Sequence, residues 1–127
     1  MFEKIDHVEV VCGDMERSIK FYTEVLGFKL KRRKDASKPP LKEIAFLELG
    51  GSTIEIFSVE NPAAPSTGTW QLGLRRIALG VKDIDGALEY FKARGVTAVS
   101  DKRVLDIASL FVIQDPDGLQ VEIVQWH

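Results

Sequence analysis

The chain has 127 residues and a formal net charge of −2, so it holds one domain with a core and carries no basic surplus that would attract nucleic acid or an anionic membrane. Its single cysteine, Cys12, excludes an internal disulfide framework and is typical of a reducing compartment. No uncharged apolar run is long enough for a signal peptide or a membrane span. We therefore expect a cytoplasmic, soluble protein without nucleic-acid or membrane partners.

The first half of the chain predicts a strand, a helix and three further strands. A β-branched run at 4–12 predicts the first strand, Asp14 is placed to cap the following helix, and Gly27 is placed to end it. The other predicted elements are strands at 28–33, 44–49 and 53–59, a polar loop at 35–40, and a hairpin turn at Gly50-Gly51.

The second half repeats this order. The run from His7 to Asp14 aligns with the run from Arg76 to Asp83, and both halves end in similar strands. Its predicted elements are strands at 74–81, 96–103, 106–114 and 119–126, and a helix between Asp83 and Gly95. A repeat this long suits a duplicated supersecondary unit. We predict an α+β fold in one domain, 1–127, with two modules (1–59 and 73–127), a linker (60–72) and mostly antiparallel sheets.

Alternation along the strands assigns charged residues to the sheet face opposite the helix. Val8, Val10 and Cys12 should meet the helix, which leaves His7 and Glu9 on the other face. The same rule places the following residues on the corresponding faces: Glu55 and Phe57 in the first module, and Arg76, Glu122, Val124 and Trp126 in the second. Aromatic and aliphatic side chains beside these charges favour a ligand pocket over a purely solvated face.

At these residues the chain resembles the vicinal oxygen chelate superfamily, which includes glyoxalase I, bleomycin-resistance proteins and extradiol dioxygenases. The resemblance lies in the His7 strand, in the helix and its exit at 18–28, and in the ending from Asp115-Pro116-Asp117-Gly118 to Glu122. It covers nearly the whole chain. It implies two βαβββ modules whose sheets form a cup with the helices on the outer face. We also expect a homodimer.

Metal-dependent members of that superfamily take four ligands from the first and last strands of the two modules. The resemblance assigns these positions to His7, Glu55, position 76 and Glu122. Position 76 is an arginine, which stays protonated and has no lone pair for a metal. The remaining three residues are a predicted set for one divalent ion (Ni, Co, Zn, Fe or Mn), on which we expect them to converge. Glu9 is an alternative ligand. The favoured interpretation of Glu9 is a carboxylate at the rim of the site that pairs with a lysine or arginine.

Two functions follow from two ways of filling this site. In the first, the protein is a glyoxalase-like, metal-dependent lyase or isomerase acting on a small oxygenated substrate, and Glu122 or Glu55 moves the proton as the catalytic residue. In the second, Arg76 forms a bidentate pair with one of these glutamates and replaces the metal charge, as in a metal-free binding protein of bleomycin-resistance type. The residues predicted to contact the small molecule are Arg76, Glu9, Phe57, Val124 and Trp126.

One departure from the resemblance bears on the substrate. Bacterial glyoxalase I carries a first-strand arginine that helps to hold glutathione, and Val11 stands at that position here. No arginine or lysine lies between His7 and Cys12. The sequence therefore argues against recognition of glutathione.

Overall fold

Two compact units, Met1–Ala64 and Pro65–His127, make up the computed structural model, which describes residues 1–36, 38–66 and 68–127. Position 37 of the predicted loop and position 67 of the predicted linker lie outside the described residues. The first unit contains β1 (His7–Cys12), α1 (Met15–Lys20, continued by a π-helical segment Phe21–Val25), β2 (Lys29–Asp35), β3 (Leu41–Leu49) and β4 (Ser52–Val59). The second contains β5 (Ile77–Gly80), α2 (Ile84–Ala93), β6 (Arg103–Val104), β7 (Ala108–Gln114) and β8 (Gln120–Trp126). The predicted α+β class with two tandem βαβββ modules is confirmed.

Each unit folds its strands into a four-stranded sheet with the same topology. The strand order is β1-β4-β3-β2 in the first unit and β5-β8-β7-β6 in the second. Strands joined by hairpins are antiparallel, whereas β1 pairs in parallel with β4 and β5 in parallel with β8. The parallel pairs follow because each first strand is separated from its partner by a helix and two strands. The first and last strands of each unit are thus neighbours, as predicted.

Both helices begin and end as the sequence predicts. The Asp14 carboxylate accepts a hydrogen bond from the Arg17 N–H at 2.8 Å, and the Asp83 carboxylate accepts one from the Gly86 N–H at 3.0 Å. Gly27 and Gly95 follow the helices with φ of 79° and 70°, which suits residues without a Cβ. No helix in the described ranges is both long and apolar enough to cross a membrane.

The core of each unit lies between the helix and one face of the sheet. In the first unit Tyr22 is fully buried and makes an edge-to-face contact with Phe28, with ring centroids 5.7 Å apart. In the second unit Phe111 is fully buried and packs edge-to-face on Phe91 of α2 at 6.0 Å. The other deeply buried core residues are Leu47 and Ile56 in the first unit and Ile113, Val121 and Ile123 in the second.

Three predicted strands are shorter by three or more residues in the structure, because a strand extends only as far as its partner. The strand predicted at 4–12 begins at His7, where pairing with Thr53 of β4 starts, and the strand predicted at 74–81 is restricted to 77–80, beside Val121 of β8. The strand predicted at 96–103 is reduced to Arg103–Val104. The segment before it follows β7 irregularly, through the N–H of Val99 and the hydroxyl of Ser100.

The core of the second unit gives a stability prediction. Phe111→Ala removes a fully buried ring from the interface between sheet and helix, and we expect it to lower the free energy of unfolding by about 3–5 kcal/mol. Val104→Ala, at an exposed position of β6, should change it by less than about 0.5 kcal/mol. Urea denaturation followed by circular dichroism measures both variants. Equal losses would contradict this account of the core.

Candidate functional site

The parallel pairing of β1 with β4 brings three ionisable residues together in the first unit. Glu9 and Glu55 are direct partners in the register, and His7 lies two residues before Glu9 on the same strand face. The opposite face carries Val10 and Ile56, which are buried toward the helix. The alternation predicted for these strands therefore holds, and His7, Glu9 and Glu55 share the face that the helix leaves open.

The imidazole of His7 lies between carboxylates on both of its nitrogens. Its Nε2 is 3.6 Å from Oε1 of Glu9 and 3.8 Å from Oε2 of Glu55. Its Nδ1 is 3.0 Å from Oδ2 of Asp6. The Glu55 side chain is shielded, with 16% exposure, whereas that of Glu9 is 61% exposed. Nδ1 of His7 is thus held by Asp6, while Nε2 faces the carboxylates of Glu9 and Glu55.

These contacts decide which nitrogen of His7 offers a lone pair. The hydrogen bond to Asp6 is the largest cause that raises the pKa of His7, opposed by desolvation and helped by Glu55 and Glu9. The same hydrogen bond, together with Lys4, lowers the pKa of Asp6. In the neutral ring, a proton on Nδ1 donated to Asp6 leaves the lone pair on Nε2, where Glu9 and Glu55 lie. This is the tautomer that a metal-binding histidine needs.

The donor set of the first unit fits a divalent cation. One ligand atom from each of His7, Glu9 and Glu55 lies within 4.8 Å of the others, so one ion could touch all three after small side-chain movements. One imidazole nitrogen and two carboxylate oxygens suit a first-row divalent metal with open positions for water or substrate. Glu9 contacts the imidazole of His7, whereas the sequence favoured a pairing of Glu9 with lysine or arginine. Asp6, which the sequence analysis missed, supplies the outer hydrogen bond.

The equivalent position of the second unit does not fit a metal. Arg76 lies just before β5, and its Nη1 is 3.4 Å from Oε2 of Glu122 on β8. The expected contact with a glutamate is present, but as a single long contact and not as a bidentate pair: Nε of Arg76 is buried and has no hydrogen-bond partner among the described residues. Burial, followed by repulsion from Arg75, lowers the pKa of Arg76; Arg103 adds to this and Glu122 opposes it. A guanidinium here offers no ligand atom.

The predicted apolar contact residues differ in accessibility. Phe57 is half-buried and lies on the same face of β4 as Glu55. Val124 is buried in a cluster with Ala108 and Leu110, and its contact with a ligand stays a prediction. Trp126 is 67% exposed and shares the Glu122 face of β8. Of these three, Phe57 and Trp126 are open to a ligand.

Comparisons with known proteins agree with this fold. The Glyoxalase/Bleomycin resistance protein/Dioxygenase superfamily model matches residues 4–123. A lactoylglutathione lyase of Haemophilus influenzae is 33% identical, over 96% of this chain and 92% of its own, and an uncharacterized Bacillus subtilis protein, YwbC, is 36% identical, over 98% and 99%. The crystal structure of a glyoxalase family protein from Enterococcus faecalis superimposes with a TM-score of 0.86 at 28% identity, covering 97% of this chain and 98% of that one. The chain therefore belongs to the glyoxalase/bleomycin resistance protein/dioxygenase superfamily.

Proposed function

We propose that this protein is a divalent-metal-dependent lyase or isomerase of glyoxalase type that acts on a small oxygenated substrate. The observation that carries the proposal is the group of His7, Glu9 and Glu55, whose ligand atoms lie within 4.8 Å of one another. The hydrogen bond from Nδ1 of His7 to Asp6 supports it, because it directs the other nitrogen toward the two glutamates. Relatives named lactoylglutathione lyase, at about 30% identity, support the reaction class.

The residues of the first unit divide the work between binding and proton transfer. His7, Glu9 and Glu55 would hold the ion, which when bound would supply Lewis-acid polarisation of substrate oxygens. Glu55 is also the residue of this group best suited to move a proton, because its carboxylate is shielded and Phe57 follows it on the same face of β4. Glu122 stays a prediction from the sequence, both as a further ligand and as the alternative proton carrier.

The substrate we propose is smaller than a glutathione conjugate. Val11 is 52% exposed and lies on the His7 face of β1, where it offers no charge to a carboxylate of glutathione. Protein loaded with metal should therefore act on lactoylglutathione much more weakly than the Haemophilus influenzae lactoylglutathione lyase does under the same conditions. Comparable rates for the two proteins would contradict the proposed limit on substrate size but not the proposed metal site.

A metal-free binding protein is the second candidate, and the contact between Arg76 and Glu122 favours it. In that function the arginine supplies a fixed charge and the protein sequesters a small molecule without chemistry. Metal analysis of protein purified without added metal separates the two candidates. Stoichiometric metal supports the enzyme, and an absence of binding after titration with nickel, cobalt, zinc and manganese supports sequestration.

The assembly and location expected from the sequence belong to the same proposal. A cytoplasmic homodimer suits a small enzyme with one cysteine and no basic surplus. Sedimentation velocity at several protein concentrations measures the oligomeric state, and a monomer at all of them would contradict the expected dimer.

Loss of a direct ligand should abolish metal binding. We expect Glu55→Gln and His7→Gln each to weaken binding of manganese or nickel by more than ~100-fold, since each removes a group that offers a donor atom to the ion. Isothermal titration calorimetry of chelator-treated protein measures the effect. Glu89→Gln is the matched control, because that carboxylate pairs with Lys92 on the surface of α2. Wild-type affinity in both site variants would contradict the proposed centre.

Asp6→Asn tests the outer hydrogen bond. The amide keeps the shape of Asp6 but loses the charge that holds Nδ1–H of His7, so we expect metal affinity to fall by roughly 10- to 100-fold. Metal titration measures the affinity, and NMR titration of the imidazole should show a lower pKa for His7 in the variant. An unchanged metal affinity would mean that Asp6 is only a surface partner of the histidine.

Arg76→His tests the position that the resemblance assigns to a fourth ligand. The substitution removes a fixed positive charge and adds a neutral imidazole, so we expect the affinity for nickel or zinc to rise on the order of a hundredfold or more. Calorimetric titration of both proteins measures the change. Equal affinities would mean that position 76 does not serve the metal site.

A further inference from the structure

The second unit concentrates positive charge around a guanidinium that is poorly compensated. Arg76 is only 13% exposed, and among the described residues it forms an ion pair with Glu122 at 3.4 Å. Its Nε is buried without a hydrogen-bond partner among the described residues. A buried donor left unpaired destabilises the folded protein, and more so when it is charged. The protein therefore leaves part of the hydrogen-bonding capacity of Arg76 unused.

Two further arginines act on the same guanidinium. Arg103 of β6 pairs with Leu110, which pairs in turn with Val124, so Arg103 lies on the sheet face that carries Glu122. Arg75 precedes Arg76 and stacks on the Trp70 ring, 3.9 Å from its centroid. Both arginines repel the charge of Arg76. Among the groups that act on Arg76, two guanidiniums thus repel its charge and one carboxylate, that of Glu122, offsets it.

We propose that Arg76 and Arg103, with Arg75 beside them, form a site for the anionic oxygen group of a substrate, a carboxylate or a phosphate. Guanidinium groups bind such groups through paired N–H donors, and the free Nε of Arg76 lies next to an Nη on the same planar edge. An oxyanion bound there would satisfy the orphaned donor and offset the repulsion between the arginines. The chemistry that the second unit suits is anion binding, in place of the metal ligation that the resemblance assigns to position 76.

The site is argued from the second unit alone, so it does not rest on the proposed metal function. The ligand class that it takes is a small molecule that carries a carboxylate or a phosphate. The anion site and the metal site predict opposite effects of Glu122 on ligand binding. As a competing carboxylate beside Arg76 it opposes anion binding, whereas as a metal ligand it would favour cation binding. Glu122→Gln separates these two roles because the amide nearly preserves the shape of the side chain.

The test uses full-length protein kept in chelator, with inorganic phosphate and acetate as separate probes and glycerol as the uncharged control. Arginine Nε–H signals in nitrogen-15 NMR spectra follow binding, and the signal lost in Arg76→Lys assigns Arg76. We expect phosphate or acetate, but not glycerol, to shift the Arg76 signal, and the stronger of the two identifies the acid group. Arg76→Gln should weaken that binding by at least tenfold and Arg103→Gln severalfold.

The control variants make the result decisive. Arg94→Gln changes an arginine that stacks on Tyr90 of α2 and should leave anion binding unchanged. Glu122→Gln should strengthen anion binding severalfold in chelator. The proposal is overturned if neither anion shifts the Arg76 signal, or if Arg76→Gln and Arg103→Gln both bind the anion as wild type does. Loss of metal binding in Glu55→Gln with anion binding retained would confirm that the two sites fail independently.

Discussion

The parallel pairing of the first strand of each unit with its last strand is the constraint on which the candidate sites depend. A hairpin brings together residues that are close in sequence, whereas this pairing places His7 beside residues nearly fifty positions away. It also puts β1 and β5 at sheet edges, with one neighbour each. The side chains at the start of β1 and before β5 consequently have one neighbouring strand within their own sheet.

The duplication preserves the backbone while the chemistry of the two units differs. At the start of the first unit, Asp6, Glu9 and Glu55 surround one imidazole, so the local charge is negative and favours a cation. At the start of the second, the Arg76 guanidinium contacts Glu122 and is repelled by Arg75 and Arg103, so positive charge exceeds negative charge around Arg76. The fold supplies two equivalent positions, those of His7 and Arg76. The side chain at each position decides whether a lone pair or a fixed positive charge is present, so the two positions can suit ligands of opposite charge.

Periodicity and turn chemistry were sufficient to predict the fold and part of the candidate site. Alternation placed His7 and Glu55 on one face, because a strand with a buried side can carry its charges only on the other. Asp6 and Arg103 could not be found in this way. Asp6 lies before the paired part of β1, where alternation has no meaning, and Arg103 lies in a strand of two residues whose register depends on β7. The single contact of Arg76 likewise depends on side-chain geometry that no pattern encodes.

His7 and Arg76 differ in whether the side chain can release a proton. An imidazole can release its proton and offer the freed lone pair to an ion, and Asp6 supports this by holding the proton of the other nitrogen. A guanidinium keeps its proton at any working pH, so its charge must be met by an anion or remain partly unpaired. Glu122 supplies one long contact, which is too little to compensate a buried cation beside two others. The poorly compensated charge of Arg76 is therefore the departure from the superfamily ligand pattern on which the proposed anion site rests.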